Sequence, residues 1–460
     1  MADENQTIRR PEGLARDPHV IASLVGAAGD RDAPLLRRLF AGLAAPDVAE
    51  ALEQAPPESV RTVVRLIGAD LPPEMLAYLP WDRREEVLAL LPPEVVARAL
   101  GELDTDDAAA VAAALGEDKL AEALAASDEV TRLALEQTLA AEEETAGRLM
   151  QREFVAAPDF WSVGQVIDKL RASADDIPDV FFEIYVVDLA MRPIGAVPVS
   201  HFLRTARDTP LKAIMTPPQA LIRPEMDQEE VAVLFQKYHL TSAPVVDDAG
   251  RLTGMVTVDD IVDVVTEESQ EDLLKLSGVG DAGQNAGVLR SVQTRAPWIG
   301  VNLATALISS SVISVFADQI EALVALAVLM PVIASMGGNA GTQALAVAVR
   351  AIAARELTGA NAARMIVREA LTGLSNGLLF ALLLGGISFA WFHIPMLAVA
   401  VALAVLINFT CAGLAGILVP LTLQRAGADP AVSSSVFVTF VTDLVGFFSF
   451  HGLASLIVFA

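Results

Sequence analysis

Hydrophobic residues are concentrated in the second half of the chain, whereas most charged residues lie in the first. Five long apolar runs begin at Trp298, and each can cross a hydrocarbon core of about 30 Å as a helix that rises about 1.5 Å per residue. We predict membrane-spanning helices at Trp298–Ala317, Ala322–Arg350, Arg368–Phe392, Pro395–Leu423 and Ala431–Ala460. Nearly all acidic residues precede Asp281, which predicts a soluble half ahead of the membrane half.

Residues 11–150 show the periodicity of short stacked helices. The segments "APPESV", "LPPEML" and "LPPEVV" recur at Ala55, Leu71 and Leu91. A second proline at the first helical position, followed by Glu in the first turn, is a helix-start signal. We therefore predict an α-helical, superhelical N-terminal domain over residues 11–150.

From about Phe154 the pattern changes to short β-branched runs separated by turns. The segment "PVVDDAGRLTGMVTVDDIV" predicts strand, turn, strand and helix, and "FFEIYVVD" with "MRPIGAVPV" is a weaker copy. This paired α+β pattern resembles tandem CBS domains, which we assign to residues 151–268. Residues 269–296 form a linker that starts as an acidic helix, and residues 297–460 form an all-α membrane domain.

Polar side chains occur inside two of the apolar runs. Asp443 lies deep within the fifth predicted span, and a charge there usually marks a pathway, although it can also join two helices by hydrogen bonds. The stretch "MGGNAGTQ", Met336–Gln343, lies within the second span. Counted from the inner ends, Asn339 lies about 17 Å deep and Asp443 about 18 Å deep. The small residues are compatible with close helix packing and with a pore wall.

The side chains at this level favour a hard cation. No His or Cys lies nearby in sequence, and carboxylate, amide and hydroxyl oxygens suit an ion such as Mg²⁺, held through its waters by Asp443, Asn339 and Thr342. One carboxylate is little charge for a divalent ion. A twofold homodimer would bring two copies of Asp443 to one axis.

The composition limits the partners and the location of the protein. A formal net charge of −26 argues against nucleic acid and suits metal cations or simple solubility. The N-terminus lacks an apolar secretory core, and Arg350, Arg364 and Arg368 lie between spans two and three. By the positive-inside rule we expect a multi-pass protein of the inner (plasma) membrane, with cytoplasmic N-terminal domains and the C-terminus outside. No catalytic triad, P-loop or dinucleotide motif predicts an enzyme.

Together these features resemble the MgtE family of magnesium channels. The resemblance rests on "PVIASMGGNAGTQ", the Asp of "TFVTDLVG", "EEETAGRLM" ahead of the CBS pattern, and five spans in the same domain order. It implies a homodimer in a lipid bilayer, with a helical N domain, CBS domains, a linking plug helix and a five-helix membrane domain. It also implies a pore that includes Asp443, Gly337, Gly338 and Asn339. The remaining candidates on the ion path are Thr342, Gln343 and Thr439.

Acidic residues crowd the end of the second CBS copy and the linker, where several share one helical face and repel one another without counterions. The resemblance implies a regulatory Mg²⁺ site made of Asp260, Asp263, Glu268, Glu271 and Asp272, with Asp106 and Asp107 from the helical domain. Mg²⁺ bridging these acids would hold a closed state, and its loss would let the domains separate. The other interpretation is a solvated acidic helix.

Two further sites are predicted on weaker signals. The segment "TVDD" resembles the CBS nucleotide pattern and implies ATP binding through Thr257 and Asp260. Asp318 and Glu321 lie in the predicted outer loop between spans one and two. They would concentrate cations at the outer mouth of a pore, or they are ordinary loop acids.

The sequence therefore predicts a Mg²⁺ channel or transporter that internal Mg²⁺ closes. The alternatives are a channel or carrier of the same fold for Mn²⁺ or Co²⁺, and a nucleotide-sensing CBS protein whose membrane part is only an anchor. Asp443 argues against the anchor, because an anchor needs no carboxylate inside the membrane.

Overall fold

The computed structural model describes residues 18–173, 177–178, 180–276, 288–353, 356–357, 361–427, 429 and 434–459. Three predicted segments lie outside the described residues: the start of the helical domain, the middle of the linker (277–287) and the start of the fifth span (431–433). The chain forms two compact units, Met1–Thr266 and Glu267–Ala460.

The first unit begins with a run of short helices around one hydrophobic core. The helices are α1 (Pro18–Gly29), α2 (Ala33–Phe40), α3 (Ala45–Gln54), α4 (Pro57–Ile67), α5 (Met75–Tyr78), α6 (Trp81–Leu90), α7 (Pro93–Glu102), α8 (Thr105–Ala113), α9 (Glu117–Ala126), α10 (Glu129–Leu139) and α11 (Ala146–Leu149). Their apolar faces meet in a core whose fully buried members include Leu36, Leu52, Val60, Leu88 and Leu100. Amphipathic helices of this length need such packing to be stable.

The proline signal predicted helix starts with one exception. Pro57 and Pro93 are the first residues of α4 and α7, where their missing N–H groups leave no helical hydrogen bond unmade. Pro73 was expected to act in the same way. Instead a turn follows it, and α5 begins at Met75 and has only four residues.

Two matching β-hairpins follow the helices. The strands are β1 (Ala156–Pro158), β2 (Glu183–Val187), β3 (Pro193–Pro198), β4 (Ser242–Val246) and β5 (Leu252–Thr257). β2 pairs with β3 as β4 pairs with β5, and the register shifts after Val186 in one hairpin and after Val245 in the other. The two turns carry Met191 and Gly250 at positive φ, 61° and 76°. The first copy, weak in sequence, therefore repeats the backbone geometry of the second.

Helices complete the two α+β copies. They are α12 (Val163–Ala172), α13 (Val199–Phe202), α14 (Leu211–Ile214), α15 (Gln228–Tyr238) and α16 (Val258–Leu276). β1 runs parallel to β2, and Ile222 forms the corresponding parallel bridge to Val245. α16 continues without a break through the boundary that we placed after residue 268. The acids at the end of the second copy and at the start of the linker therefore lie on one helix.

The second unit contains the five predicted spans. Its further helices are α17 (Val288–Val315), α18 (Ala317–Ala322), α19 (Ala325–Ala353), α20 (Ala362–Phe392), α21 (Pro395–Arg425) and α22 (Ser434–Ile457). Among the described residues, all but α18 are long and apolar enough to cross a membrane. α17 begins ten residues before the predicted Trp298 start. The segment "ADQIE" was expected to be a loop, but all five of its residues belong to α18.

Glycines allow the spans to pack closely around α21. A Cβ at Gly373 of α20 would lie 2.6 Å from the carbonyl oxygen of Phe409, and one at Gly413 would lie 2.6 Å from that of Glu369. Close backbone approach through small residues is a common way to pack helices in a membrane. Glu369 is a carboxylate near the start of α20 and directly follows Arg368. It is 7% exposed, and its Oε1 accepts a hydrogen bond from Arg368.

Candidate ion-binding sites

The glycine motif of α19 has one face packed against neighbouring spans. A Cβ at Gly337 would lie 2.1 Å from Asn408 Nδ2, and one at Gly341 would lie 2.6 Å from Val438 Cγ1. Asn408 is fully buried on α21, and its Nδ2 donates a hydrogen bond to the carbonyl oxygen of Ile333 at 3.0 Å. Gly337 is therefore required by packing, and the backbone at this position is covered by the Asn408 amide.

The other face of α19 is polar, and the described residues leave it exposed. Asn339, Thr342 and Gln343 are exposed, and their spacing of three and four residues puts them on one side of the helix. The Thr342 hydroxyl donates a hydrogen bond to the carbonyl oxygen of Gly338 at 2.9 Å. Among the described residues, apart from the nearby backbone of α19 itself, no atom lies within 4 Å of a Cβ built at Gly338. A polar stripe on a membrane helix is costly against lipid tails, so it points to water or another protein surface.

α22 brings Asp443 to the level of this stripe. Gly341 lies against Val438 and Thr442 of α22, and Asp443 follows Thr442 directly. At about 1.5 Å per residue, Asn339 is about 3 Å beyond Gly341 and Asp443 is about 1.5 Å beyond Thr442, toward the same end of the antiparallel pair. Asp443 and Thr439 are half-buried. Among the described residues, the Asp443 carboxylate has no hydrogen bond and no ion pair.

A first cluster of acidic residues lies within the first unit. Asp106 and Asp107 at the start of α8 interact electrostatically with Asp259, Asp260 and Asp263 of α16. Asp106 Oδ1 is buried and, among the described residues, has no hydrogen-bond partner. Acids of the helical domain and of the second CBS copy therefore lie near each other, and their role in a regulatory Mg²⁺ site stays a prediction.

Burial and mutual repulsion disfavour the ionised forms of these acids. Burial, followed by the charges of Asp260 and Asp107, raises the pKa of Asp106 well above its usual value. Burial is also the main cause that raises the pKa of Asp107 to about 6, with Asp104, Asp259 and Asp263 adding to the rise and Arg84 opposing it. Burial and Asp259 raise the pKa of Asp260 to about 6 against the hydrogen bond from Thr257. A cation would relieve this repulsion.

The remaining predicted regulatory acids belong to a second cluster, within the second unit. Burial, followed by Asp429, raises the pKa of Asp272, and the charges of Glu268 and Glu271 add to this rise. Lys275 partly neutralises the cluster, because its ammonium contacts Glu271 and lies 3.0 Å from Asp429 Oδ2. The acids that the sequence assigned to one regulatory set therefore occur as one group in each unit, and their joint role as a Mg²⁺ site stays a prediction.

Neither cluster is arranged as a closed metal site. Across the described residues, no three His, Cys, Asp or Glu side chains converge closely enough to hold one ion. The acids are close enough to perturb one another but not close enough to share an ion as direct ligands. Such spacing is compatible with an ion that keeps several of its waters, as Mg²⁺ usually does.

Comparison with known proteins identifies the family. Models for the divalent cation transporter MgtE, the MgtE intracellular N domain and the CBS domain match residues 330–453, 43–144 and 211–267. The magnesium transporter MgtE of Thermus thermophilus is 34% identical over 317 residues, which cover 68% of this chain and 70% of that protein. The chain belongs to the MgtE family of divalent cation transporters. The magnesium transporter MgtE of Bacillus subtilis is 30% identical over 313 residues, which cover 68% of this chain and 69% of that protein.

Two solved structures of the cytosolic or soluble parts of magnesium transport proteins are similar to part of this chain. The cytosolic domain of the Mg²⁺ channel MgtE in complex with ATP is 32% identical and covers 53% of this chain and 99% of that chain, with a TM-score of 0.49. The soluble part of a magnesium transporter is 25% identical and covers 55% of this chain and 98% of that chain, with a TM-score of 0.48. With its five apolar helices, this MgtE protein is a multi-pass membrane protein with cytosolic N-terminal domains.

In this MgtE protein, the two residues predicted to bind a nucleotide form a hydrogen bond with each other. Thr257 Oγ1 donates a hydrogen bond to Asp260 Oδ2 at 2.6 Å, and Thr257 is buried. A separate cavity of about 90 Å³ lies between the two CBS copies. Its lining includes Glu183, Tyr185 and Ser242 but neither Thr257 nor Asp260. ATP binding at these two residues stays a prediction.

The MgtE structure also shows residues that the sequence analysis overlooked or left open. Asn408 and Asp429 were not singled out, although an Asn in the middle of an apolar run is a detectable signal. Asp429 had no such signal, since its approach to Asp272 and Lys275 joins segments far apart in sequence. Asp318 and Glu321 are exposed on α18, and their role at an outer mouth stays a prediction.

Proposed function

We propose that this MgtE protein is a Mg²⁺ channel whose ion path runs along Asp443 and the polar face of α19. The observation that carries the proposal is an unpartnered carboxylate in a span helix beside the Gly341 contact. Removing a carboxylate from water without a partner is costly. A hydrated cation at that level would offset this cost, and Asn339 and Thr342 would supply further oxygen atoms to its waters.

The uncovered polar stripe supports a homodimer as the working unit. In a dimer with a twofold axis at this stripe, Asn339, Thr342 and Gln343 of one copy would face the same residues of the other copy and would be shielded from lipid. Such a dimer would also bring two Asp443 carboxylates to one path, so that their two negative charges match one divalent cation. α17 is largely exposed in the single chain as well, which leaves surface for a partner or for lipid.

The two acid clusters support closure by internal Mg²⁺. Each cluster concentrates negative charge that opposes a compact arrangement, and an ion bound between the acids would favour the compact state. Asp263→Ala combined with Glu268→Ala removes one acid from each cluster and should shift closure to higher internal Mg²⁺. The matched control is Asp118→Ala, which removes an exposed acid of α9. Unaltered closure by Mg²⁺ in the double variant would contradict this gating role.

Uptake into proteoliposomes tests the transported ion directly. Full-length protein is reconstituted with either trace or millimolar Mg²⁺ inside, and entry of Mg²⁺ is followed with a fluorescent indicator. We expect fast uptake with trace internal Mg²⁺ and slow uptake with millimolar internal Mg²⁺. Entry of Mn²⁺ or Co²⁺ without entry of Mg²⁺ would favour the alternative cargo, and no entry of any of the three ions would contradict a channel.

A further inference from the structure

A basic cavity lies where α19 ends and α20 begins. Its volume is about 630 Å³, and its lining includes Arg350, Arg364 and Arg368. This volume falls within the range of about 300–1,000 Å³ that is typical of ligand pockets. The chain reaches this position after two spans, so the cavity is on the same side of the membrane as the cytosolic N-terminal domains. It lies apart from both acid clusters and from Asp443 in sequence, and the ion path does not use it.

The charges of the cavity are poorly balanced by the protein. Among the described residues, neither Arg350 nor Arg364 has an ion-pair partner. Arg368 contacts a single carboxylate oxygen, Glu369 Oε1, at 3.1 Å. Arg364 and Arg368 are separated by four residues on α20, so their like charges are neighbours on the helix surface. The only acid in the described lining, Glu356, leaves the cavity with net positive charge.

The rest of the lining gives the cavity one apolar wall and one polar wall. Ala346, Val347 and Met365 lie on the span helices and form an apolar wall. On the loop side, Asn361 Nδ2 donates a hydrogen bond to the carbonyl oxygen of Glu356 at 2.7 Å, which ties the loop to the start of α20. Guanidinium groups recognise phosphate oxygens through paired N–H donors. A basic pocket between span ends at the cytosolic leaflet, with an apolar wall, suits a phosphate ester.

We propose that this cavity is a binding site for an anionic phosphate group held by Arg350, Arg364 and Arg368. The group comes from the headgroup of an anionic phospholipid or from a soluble phosphate in the cytosol. The proposal is independent of the transported ion, and its test requires no ion flux.

The test uses full-length protein in nanodiscs that contain equal parts of phosphatidylglycerol and phosphatidylcholine. The protein is released into mild detergent, and native mass spectrometry counts the phosphatidylglycerol that it retains. We expect the Arg350→Gln/Arg364→Gln variant to bind phosphatidylglycerol roughly tenfold more weakly than the wild type, since each basic residue near a charged surface contributes appreciably to binding. Arg425→Gln is the matched control, because Arg425 ends α21 and does not line the cavity.

Competition separates the two sources of phosphate. If millimolar inorganic phosphate displaces the retained phosphatidylglycerol from the wild type, the site takes soluble phosphate groups; if it does not, the site takes a lipid headgroup. Both results support a phosphate site, provided that the double variant loses the binding. Equal retention by the wild type, the double variant and the control, with each protein eluting as one folded species, would overturn the proposal.

Discussion

Asn408 fills the space beside Gly337, and this contact explains why residue 337 of α19 is a glycine. A Cβ at Gly337 would lie 2.1 Å from Asn408 Nδ2, and Asn408 has little room to move because its Nδ2 would also lie 2.8 Å from a Cβ at Gly446. One buried amide therefore sets the approach of α19, α21 and α22, the three helices that carry or support the proposed ion path.

We predict that Gly337→Ala destabilises the protein whereas Gly338→Ala does not. Overpacking a buried contact costs about 1–3 kcal/mol, but a Cβ at Gly338 would meet no neighbouring helix within 4 Å in the part of the chain that the structure describes. Thermal unfolding of the purified protein in detergent measures the difference. Asn408→Ala should remove most of the additional cost of Gly337→Ala in a double-mutant cycle. Equal melting temperatures for the two glycine variants would contradict the contact.

The acid cluster of the first unit predicts an unusual pH dependence of stability. The pKa values of Asp107 and Asp260 are about 6 in the folded state, against an ordinary value of 3.8. Because the folded-state pKa is raised, the favourable contribution is complete below about pH 4 and is lost as the pH rises through about 6. When a chelator keeps the protein free of Mg²⁺, the free energy of unfolding should therefore fall by on the order of 2 kcal/mol between pH 5 and pH 7.5.

Added Mg²⁺ and substitutions of Asp107 and Asp260 distinguish the pH dependence caused by these two carboxyls from that of other acidic residues. Saturating Mg²⁺ should restore much of the stability lost at pH 7.5, and Asp107→Asn with Asp260→Asn should flatten the pH profile. Asp118→Asn, at an exposed position of α9, serves as the control and should leave the profile unchanged. A double variant with the wild-type slope would show that these two carboxyls do not titrate as described.

Lys275 competes with cations for the second cluster. Burial alone would lower the pKa of Lys275, but hydrogen bonds to Glu271 and Asp429 hold that pKa above its ordinary value. Lys275→Gln frees both carboxylates, so we expect half-maximal closure at a severalfold lower internal Mg²⁺ concentration. The measurement is Mg²⁺ uptake at graded internal Mg²⁺. Lys212→Gln, on the exposed surface of α14, should not shift the curve, and an unshifted curve for Lys275→Gln would refute the competition.

The proposed dimer predicts crosslinks along the polar stripe. In a Cys411→Ser background, Asn339→Cys and Thr342→Cys should each form disulfide-linked dimers in membranes, because a twofold axis at the stripe brings equivalent positions together. Leu382→Cys is the control, since Leu382 is apolar and 70% exposed on α20, away from the stripe on α19. Crosslinking at Leu382 but not at the stripe would place the interface elsewhere.

The sequence predicted much of the fold because local patterns carry it. Apolar runs identified the five spans, and the predicted start of the fourth span, Pro395, is the first residue of α21, a position that proline favours. Short helices such as α18 escaped, since six residues without a strong cap give no periodic signal. The depth of Asp443 in the membrane relative to the glycine motif could also be estimated from the sequence, because the rise per residue of a helix is constant.

The side-chain partners could not be predicted in the same way. The Asn408 amide meets the Ile333 carbonyl 75 residues away, and no spacing rule links such positions. The approach of Asp429 to Asp272 was equally hidden from the sequence, because the two residues lie far apart along the chain. Thr257 and Asp260 were recognised as a pair, but only the structure shows that they bond to each other.

The most direct test of the account is Mg²⁺ uptake by Asp443→Asn and Asp443→Ala in proteoliposomes with trace internal Mg²⁺. Both variants remove the charge, and Asp443→Asn keeps the size of the side chain. Ser388→Ala is the control, because Ser388 is a fully buried polar residue in another span and, among the described residues, its hydroxyl has no partner. We predict that both Asp443 variants lose at least tenfold in uptake rate while Ser388→Ala retains the wild-type rate. Wild-type uptake in both Asp443 variants would contradict the account.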